Sequence, residues 1–166
     1  LKPKSNMKKS AFLSMVAKAK EYIRAGDIFQ IVVSQRFSIP FQLPSINLYR
    51  SLRRLNPSPF LFHFNFEEMA LVGSSPEILV RLRGDQVTIR PVAGTRKRGK
   101  TPDEDAKNAA DLMADVKERA EHLMLLDLGR NDVGRVSKPG SVRVKSNYEV
   151  EYYSHVMHIA SQVEGE

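Results

Sequence analysis

Three clusters of side chains could do chemistry. Arg90-Pro91-Val92-Ala93-Gly94-Thr95-Arg96-Lys97-Arg98-Gly99 sets a Gly-Thr pair among cations, and Glu118 and Glu121 stand three residues apart downstream. Glycine permits close backbone approach, and a threonine hydroxyl with free amides can hold an anion. Two carboxylates at i,i+3 repel unless a cation lies near them, and a hard divalent ion would relieve that and bridge to an anionic substrate. Glu77, after Gly73-Ser74-Ser75-Pro76, is a general acid if its surroundings raise its pKa. Each cluster also has a plain reading: a loop leading into a helix, a solvated Glu-Glu face, a residue that starts a strand. Spacing alone leaves these alternatives open.

The elements that must position these groups show in the periodicity. Residues 8–25 read as a helix with Phe12, Val16, Ala19 and Ile23 on one face and Gly26 as its stop. Residues 28–37 read as a strand, with Gln30 and Ser34 on the same face. Ser45 starts a short helix to Leu55, which Asn56-Pro57-Ser58-Pro59 must break. Strands are expected near 60–66, 69–73, 78–83 and 86–91, the last two forming a hairpin around Gly84-Asp85. Thr101-Pro102-Asp103-Glu104 starts a helix, expected to run unbroken to about Leu126 with a buried stripe of Met113, Val116, Ala120 and Leu123. Strands near 141–146 and 149–163 follow, and the odd spacing of His155 and His158 would put them on opposite faces. The fold class is α+β: a largely antiparallel sheet with flanking helices, without βαβ alternation.

Composition narrows the classes. The 166 residues contain no cysteine, so thiolate and disulfide chemistry is excluded, and a reducing cytoplasm is the expected location. No apolar run approaches the roughly 20 residues of a membrane span. The net charge of +7 is concentrated: seven Lys or Arg and one acid, Asp85, lie between Arg81 and Lys100. That cluster allows a rival reading as a basic nucleic-acid-binding module. Against it, the stretch carries no binding motif and no interleaved aromatic platform.

Six ordered blocks carry a resemblance. They are Ala25-Gly26-Asp27-Ile28-Phe29-Gln30-Ile31-Val32-Val33-Ser34-Gln35-Arg36, Asn56-Pro57-Ser58-Pro59-Phe60, Gly73-Ser74-Ser75-Pro76-Glu77, Pro91-Val92-Ala93-Gly94-Thr95-Arg96, residues 121–132 from Glu121 to Asp132, and Tyr153-Ser154-His155-Val156-Met157-His158. From about Tyr22 onward the chain resembles the chorismate-utilising enzymes, most closely their anthranilate-forming branch. The resemblance implies a partial chorismate-binding fold in which chorismate loses its 4-hydroxyl with help from Mg²⁺. By position, Glu77 matches the acid, Glu121 a metal ligand, Glu118 a closer or water-mediated metal neighbour, and Gly94-Thr95 the turn that holds substrate carboxylate. His158 matches the active-site histidine, leaving His155 structural. Asn56, Pro57, Ser58, Pro59 and Phe60 match part of a tryptophan feedback pocket.

Two positions choose among branches. Relatives that add water carry a lysine where this chain has Gln30, and relatives making 4-amino-4-deoxychorismate carry a lysine where it has Ala93. The resemblance therefore implies chorismate plus ammonia giving anthranilate and pyruvate, with ammonia from a glutamine amidotransferase subunit. The alternative is aminodeoxychorismate formation. The chain stops before the family's Gly-Ala-Pro-Lys segment, its second metal glutamate and the basic residues that grip the carboxylates. It is therefore expected to be the N-terminal and central part of a chorismate-binding domain, inactive alone and prone to self-association through an exposed sheet edge.

Overall fold

In a computed structural model, which describes residues 2–166, the chain divides into two compact units, 1–44 and 45–166. The first unit contains helix α1 (Lys9–Ala25) and a short antiparallel ribbon of β1 (Lys4–Ser5) with β2 (Phe37–Ser38). Helix α1 ends as expected, with Gly26 in the left-handed region and its N–H on the Ile23 carbonyl. Of its expected face only Ala19 is buried; Ile23 is largely exposed.

The strand expected over 28–37 is a correction. Only Phe37 joins a ladder; the residues before it run without regular strand pairing, and Phe29 is 88% exposed. β-branched residues favour extended backbone, but a strand exists only where another chain segment takes its N–H and C=O groups. Among the described residues no strand does so here.

In the second unit, helix α2 (Ser45–Leu55) precedes a hairpin of β3 (Phe60–Asn65) and β4 (Ala70–Ser75) in continuous register, Phe60 opposite Ser75 and Asn65 opposite Ala70. Ser45 turns its hydroxyl to His63 Nε2 at 2.9 Å, tying the start of α2 to β3.

The main sheet is built on β9 (Val156–Gly165). Strand β8 (Arg143–Tyr152) runs along one side of it, while β7 (Val92–Lys97) and β6 (Gln86–Ile89) share the other. The Pro91 carbonyl bridges the gap by accepting from Ser161 N–H at 3.0 Å. Strand β5 (Arg81–Arg83) adds to β6 through the expected hairpin at Gly84-Asp85. Every pairing is antiparallel, so the α+β architecture expected from the sequence is the one found.

The helix expected as one piece from 102 is two: α3 (Pro102–Ala114) and α4 (Val116–Gly134). Thr101 caps α3 as expected, accepting from Glu104 N–H at 3.2 Å. Asp115 breaks the run. Its backbone leaves the helical region, and its Oδ1 accepts from Lys117 and Glu118 N–H at 2.9 and 3.1 Å, capping α4. The kink changes which face of α4 is inside. Val116 is 81% and Leu123 57% exposed, while His122, Leu126, Gly129 and Val133 are buried at helical spacing. Helix α4 also outruns the expected stop at Leu126, its further turns burying Val133 with Leu126 and Val163 and setting Gly129 against Ile89 and Val163.

Two apolar clusters glue helices to sheet: Ala109, Leu112, Met157 and Ile159 under α3, and Leu126, Val133 and Val163 under α4. They hold β9, and through its pairing β7, against α3 and α4, beside Gly94, Thr95, Glu118 and His158.

Candidate active site

The stretch read as a Gly-Thr turn lies inside β7, at an irregularity in its pairing. Ala93 faces Ile159 and Arg96 faces Met157, so β7 has one residue more than β9 between the same two rungs. The bulge needs a left-handed residue, and Gly94 supplies it at φ +70°. Space is short as well: a Cβ on Gly94 would lie 3.0 Å from Leu112 Cδ1 and 3.3 Å from Glu118 Oε2.

The bulge aims main chain and side chain at His158. His158 Nδ1 lies 2.8 Å from the Gly94 carbonyl and 3.1 Å from Thr95 Oγ1. A carbonyl oxygen only accepts, so Nδ1 must carry the hydrogen of neutral His158 and Nε2 keeps its lone pair. Thr95 Oγ1 accepts a share of that hydrogen and retains its own for another acceptor.

Glu118 arrives from the other side. The Asp115 cap starts α4 so that Glu118 packs beside Gly94, with its side chain only 18% exposed. Arg96 anchors the junction, its Nε on Asp111 at 2.7 Å and one NH2 on Asp115 at 2.8 Å. Its other nitrogen donates to the Thr95 carbonyl at 3.1 Å and stands 4.0 Å from Glu118. Asp115 is held below the ordinary carboxylate range, chiefly by the Glu118 amide and then by Arg96.

A cavity of about 560 Å³ opens beside His158, walled by Asn56, Pro57, Ser58, Pro76, Arg98 and Tyr153. Three of the expected feedback residues, Asn56, Pro57 and Ser58, therefore line one cavity with the expected active-site histidine, a proximity the sequence blocks do not show. Pro59 and Phe60 are exposed where β3 begins. Glu77 is exposed after β4, its amide on Ser75 Oγ at 3.2 Å. Its charge is near enough to Tyr153 to add to the burial and Glu151 contacts that push the phenol up to about 12.

The remaining expected residues lie further apart. Glu121 is half-buried one turn along α4 from Glu118. Gln30 belongs to the first unit, in the extended segment without a ladder. His155 lies in the turn between β8 and β9 rather than in a strand, so the alternation that would separate it from His158 does not apply: both line the same cavity, and the His155 carbonyl accepts from Arg98 N–H at 3.1 Å. Sequence reasoning missed Asp115 and took Arg96 as one of the cations aiding an anion at Gly94-Thr95, whereas it is paired with Asp111 and Asp115. An aspartate three residues before Glu118 is a legible cap signal; the ion pairs of Arg96 needed the fold.

For Mg²⁺ the donor set fits in part. Glu118 and Glu121 supply two carboxylates, and Mg²⁺ is commonly held by one or two of these with water and substrate oxygens. Among the described residues no group of three or more ligating side chains converges. The basic stretch that suggested nucleic acid is partly spent inside the fold, with Arg90 on Glu151, Arg96 on Asp111 and Asp115, and Arg98 on Asp105.

At the β7 bulge, Gly94 thus has His158 on its carbonyl and Glu118 packed beside it, with the cavity on the His158 side. The chain belongs to the chorismate binding enzyme family, whose profile it matches over residues 1–166. It is 63% identical over 163 residues to anthranilate synthase component 1 of Cereibacter sphaeroides, covering 98% of this chain and 33% of that protein. The Aquifex aeolicus protein of the same name is 56% identical over the same shares. The crystal structure of anthranilate synthase component I from Streptococcus pneumoniae superposes with TM-score 0.90 at 43% identity, covering 100% of this chain and 36% of that one. The chain thus spans about a third of the length of these relatives. These likenesses do not favour the nucleic-acid or the aminodeoxychorismate reading. No described helix is long and apolar enough to cross a membrane.

Proposed function

We propose that this chain forms part of the chorismate site of an anthranilate synthase component I, acting in the reducing cytoplasm with a glutamine amidotransferase subunit as ammonia source. The reading is supported by the likeness to proteins of that name. The observation that carries it is the convergence of Gly94, Thr95, His158 and Glu118 at the β7 bulge.

Thr95, its hydroxyl hydrogen not needed by His158, donates to a carboxylate of chorismate lying over Gly94. His158 presents the bare Nε2 toward the ligand, able to accept a proton there. Glu77 serves as the acid for the departing hydroxyl, and Gln30, standing where water-adding relatives carry a lysine, fits ammonia as the nucleophile. Glu118 and Glu121 would hold Mg²⁺, which when bound neutralises substrate carboxylate and draws charge from the ring as the C–O bond breaks. Ala93, 8% exposed and paired with Ile159, offers no amine for attack at C4. Asn56, Pro57, Ser58, Pro59 and Phe60 form part of an inhibitor pocket for tryptophan, continuous with the His158 cavity at residues 56–58. Spanning about a third of the length of these relatives, the 166-residue chain by itself is expected to have little activity.

The test is product formation by the protein that carries this chain, given chorismate, ammonia and Mg²⁺. Anthranilate fluorescence that disappears in Glu77→Gln and His158→Asn supports the reading. Formation of 4-amino-4-deoxychorismate instead refutes it.

A further inference from the structure

Tyr153 is held from four sides although no role in chemistry has been assigned to it. Its N–H donates to the Val156 carbonyl at 2.8 Å, and its carbonyl accepts from Arg98 at 2.7 Å. Its hydroxyl donates to Glu151 Oε2 at 2.7 Å, and Glu151 is paired in turn with Arg90. Its ring meets the His158 imidazole edge-on, centroids 5.5 Å apart and planes at 63°. Both side chains line the same cavity.

We propose that Tyr153 is a positioning residue for His158: its pinned ring holds the imidazole where Nδ1–H reaches the Gly94 carbonyl and Nε2 is left bare at the cavity. The inference rests on the role given to His158 above. An imidazole free in water favours hydrogen on Nε2, so the opposite tautomer must be imposed by its surroundings. The Gly94 carbonyl supplies the acceptor, but a ring free to turn over would lose it. The steeply tilted Tyr153 ring packed against His158 blocks that turn, and the Glu151–Arg90 pair keeps the ring in place. The phenol stays protonated far above neutrality, so the Glu151 bond persists across the working pH.

The experiment uses the protein that carries this chain, ¹⁵N-labelled at histidine, with His158→Asn to assign the signals. In the unmodified protein His158 should show a protonated Nδ1 and a bare Nε2. Tyr153→Leu should move both signals toward the Nε2–H form and lower kcat about tenfold, with KM for chorismate changed less than about twofold. Tyr153→Phe keeps the ring and loses only the Glu151 tie, so it should shift the signals partway and lower kcat about two- to threefold. Unmoved nitrogen signals in a folded Tyr153→Leu overturn the proposal whatever the activity. Should that variant not fold, unmoved signals in Tyr153→Phe overturn it equally. A tautomer shift in a protein that makes no anthranilate would sink the proposed function and leave the positioning intact.

Discussion

Replacing Gly94 with alanine tests whether the bulge is required by backbone geometry and crowding together. Two costs add. At φ +70° an L-residue loses roughly 1–2 kcal/mol. The new methyl would also sit 3.0 Å from Leu112 Cδ1, on a side chain with no exposure and little room to retreat, which adds about 1–3 kcal/mol of overpacking. The sum, about 2–5 kcal/mol, corresponds to a melting temperature lower by roughly 5–15 °C for a chain of this length. Gly140→Ala is the control. It too has a left-handed φ, +81°, but nothing lies within 4 Å of its Cβ position, so it bears the first cost alone. Calorimetric melting of the two variants isolates the crowding. Gly94→Ala melting no lower than Gly140→Ala would refute the account of the bulge.

The other expectations are shorter. His122 is wholly buried and its pKa is lowered by that burial, so the unfolded chain binds protons more readily than the folded one. Its contribution is complete above the unfolded value of about 6.5 and is lost as pH falls toward the lower folded value; urea midpoints should drop across that window, and His122→Gln should flatten the slope. Asp105, Asp115 and Glu164 have depressed pKa values, led by hydrogen bonds from Arg98, the Glu118 amide and Lys145 respectively. Their stabilisation is full above their unfolded values, near 4, and disappears as pH falls through the folded ones, so circular dichroism should show a second, acid transition that Asp115→Ala brings to higher pH. Glu121→Gln should weaken Mg²⁺ binding in the presence of chorismate about tenfold or more by calorimetric titration; unchanged affinity would remove it from the metal site.

Local signals were the legible ones. The Thr101 cap, the Gly26 stop, the Gly84-Asp85 hairpin and the antiparallel class follow from neighbours along the chain, and all are found. The order of motifs likewise placed the chain in its family. The errors share another cause. Residues 28–36 have strand chemistry, but no described strand pairs with them. Asp115 was read as a helical residue because its capping role depends on where the helix stops. The buried stripe of α4 was misplaced because a one-residue break rotates everything beyond it.

The sequence alone thus determined which residues carry charge, hydroxyl and imidazole, and which local turns they permit. Only the tertiary structure decided what meets what. Gly94 reaches His158 across 64 residues of chain, and Arg96 reaches Asp115 across 19. Such contacts exist because Leu112, Met157 and Ile159 bury their surfaces together and carry the polar groups with them. Burial has no direction of its own; the bulge in β7 and the cap at Asp115 convert it into a specific meeting of a carbonyl, a carboxylate and a histidine.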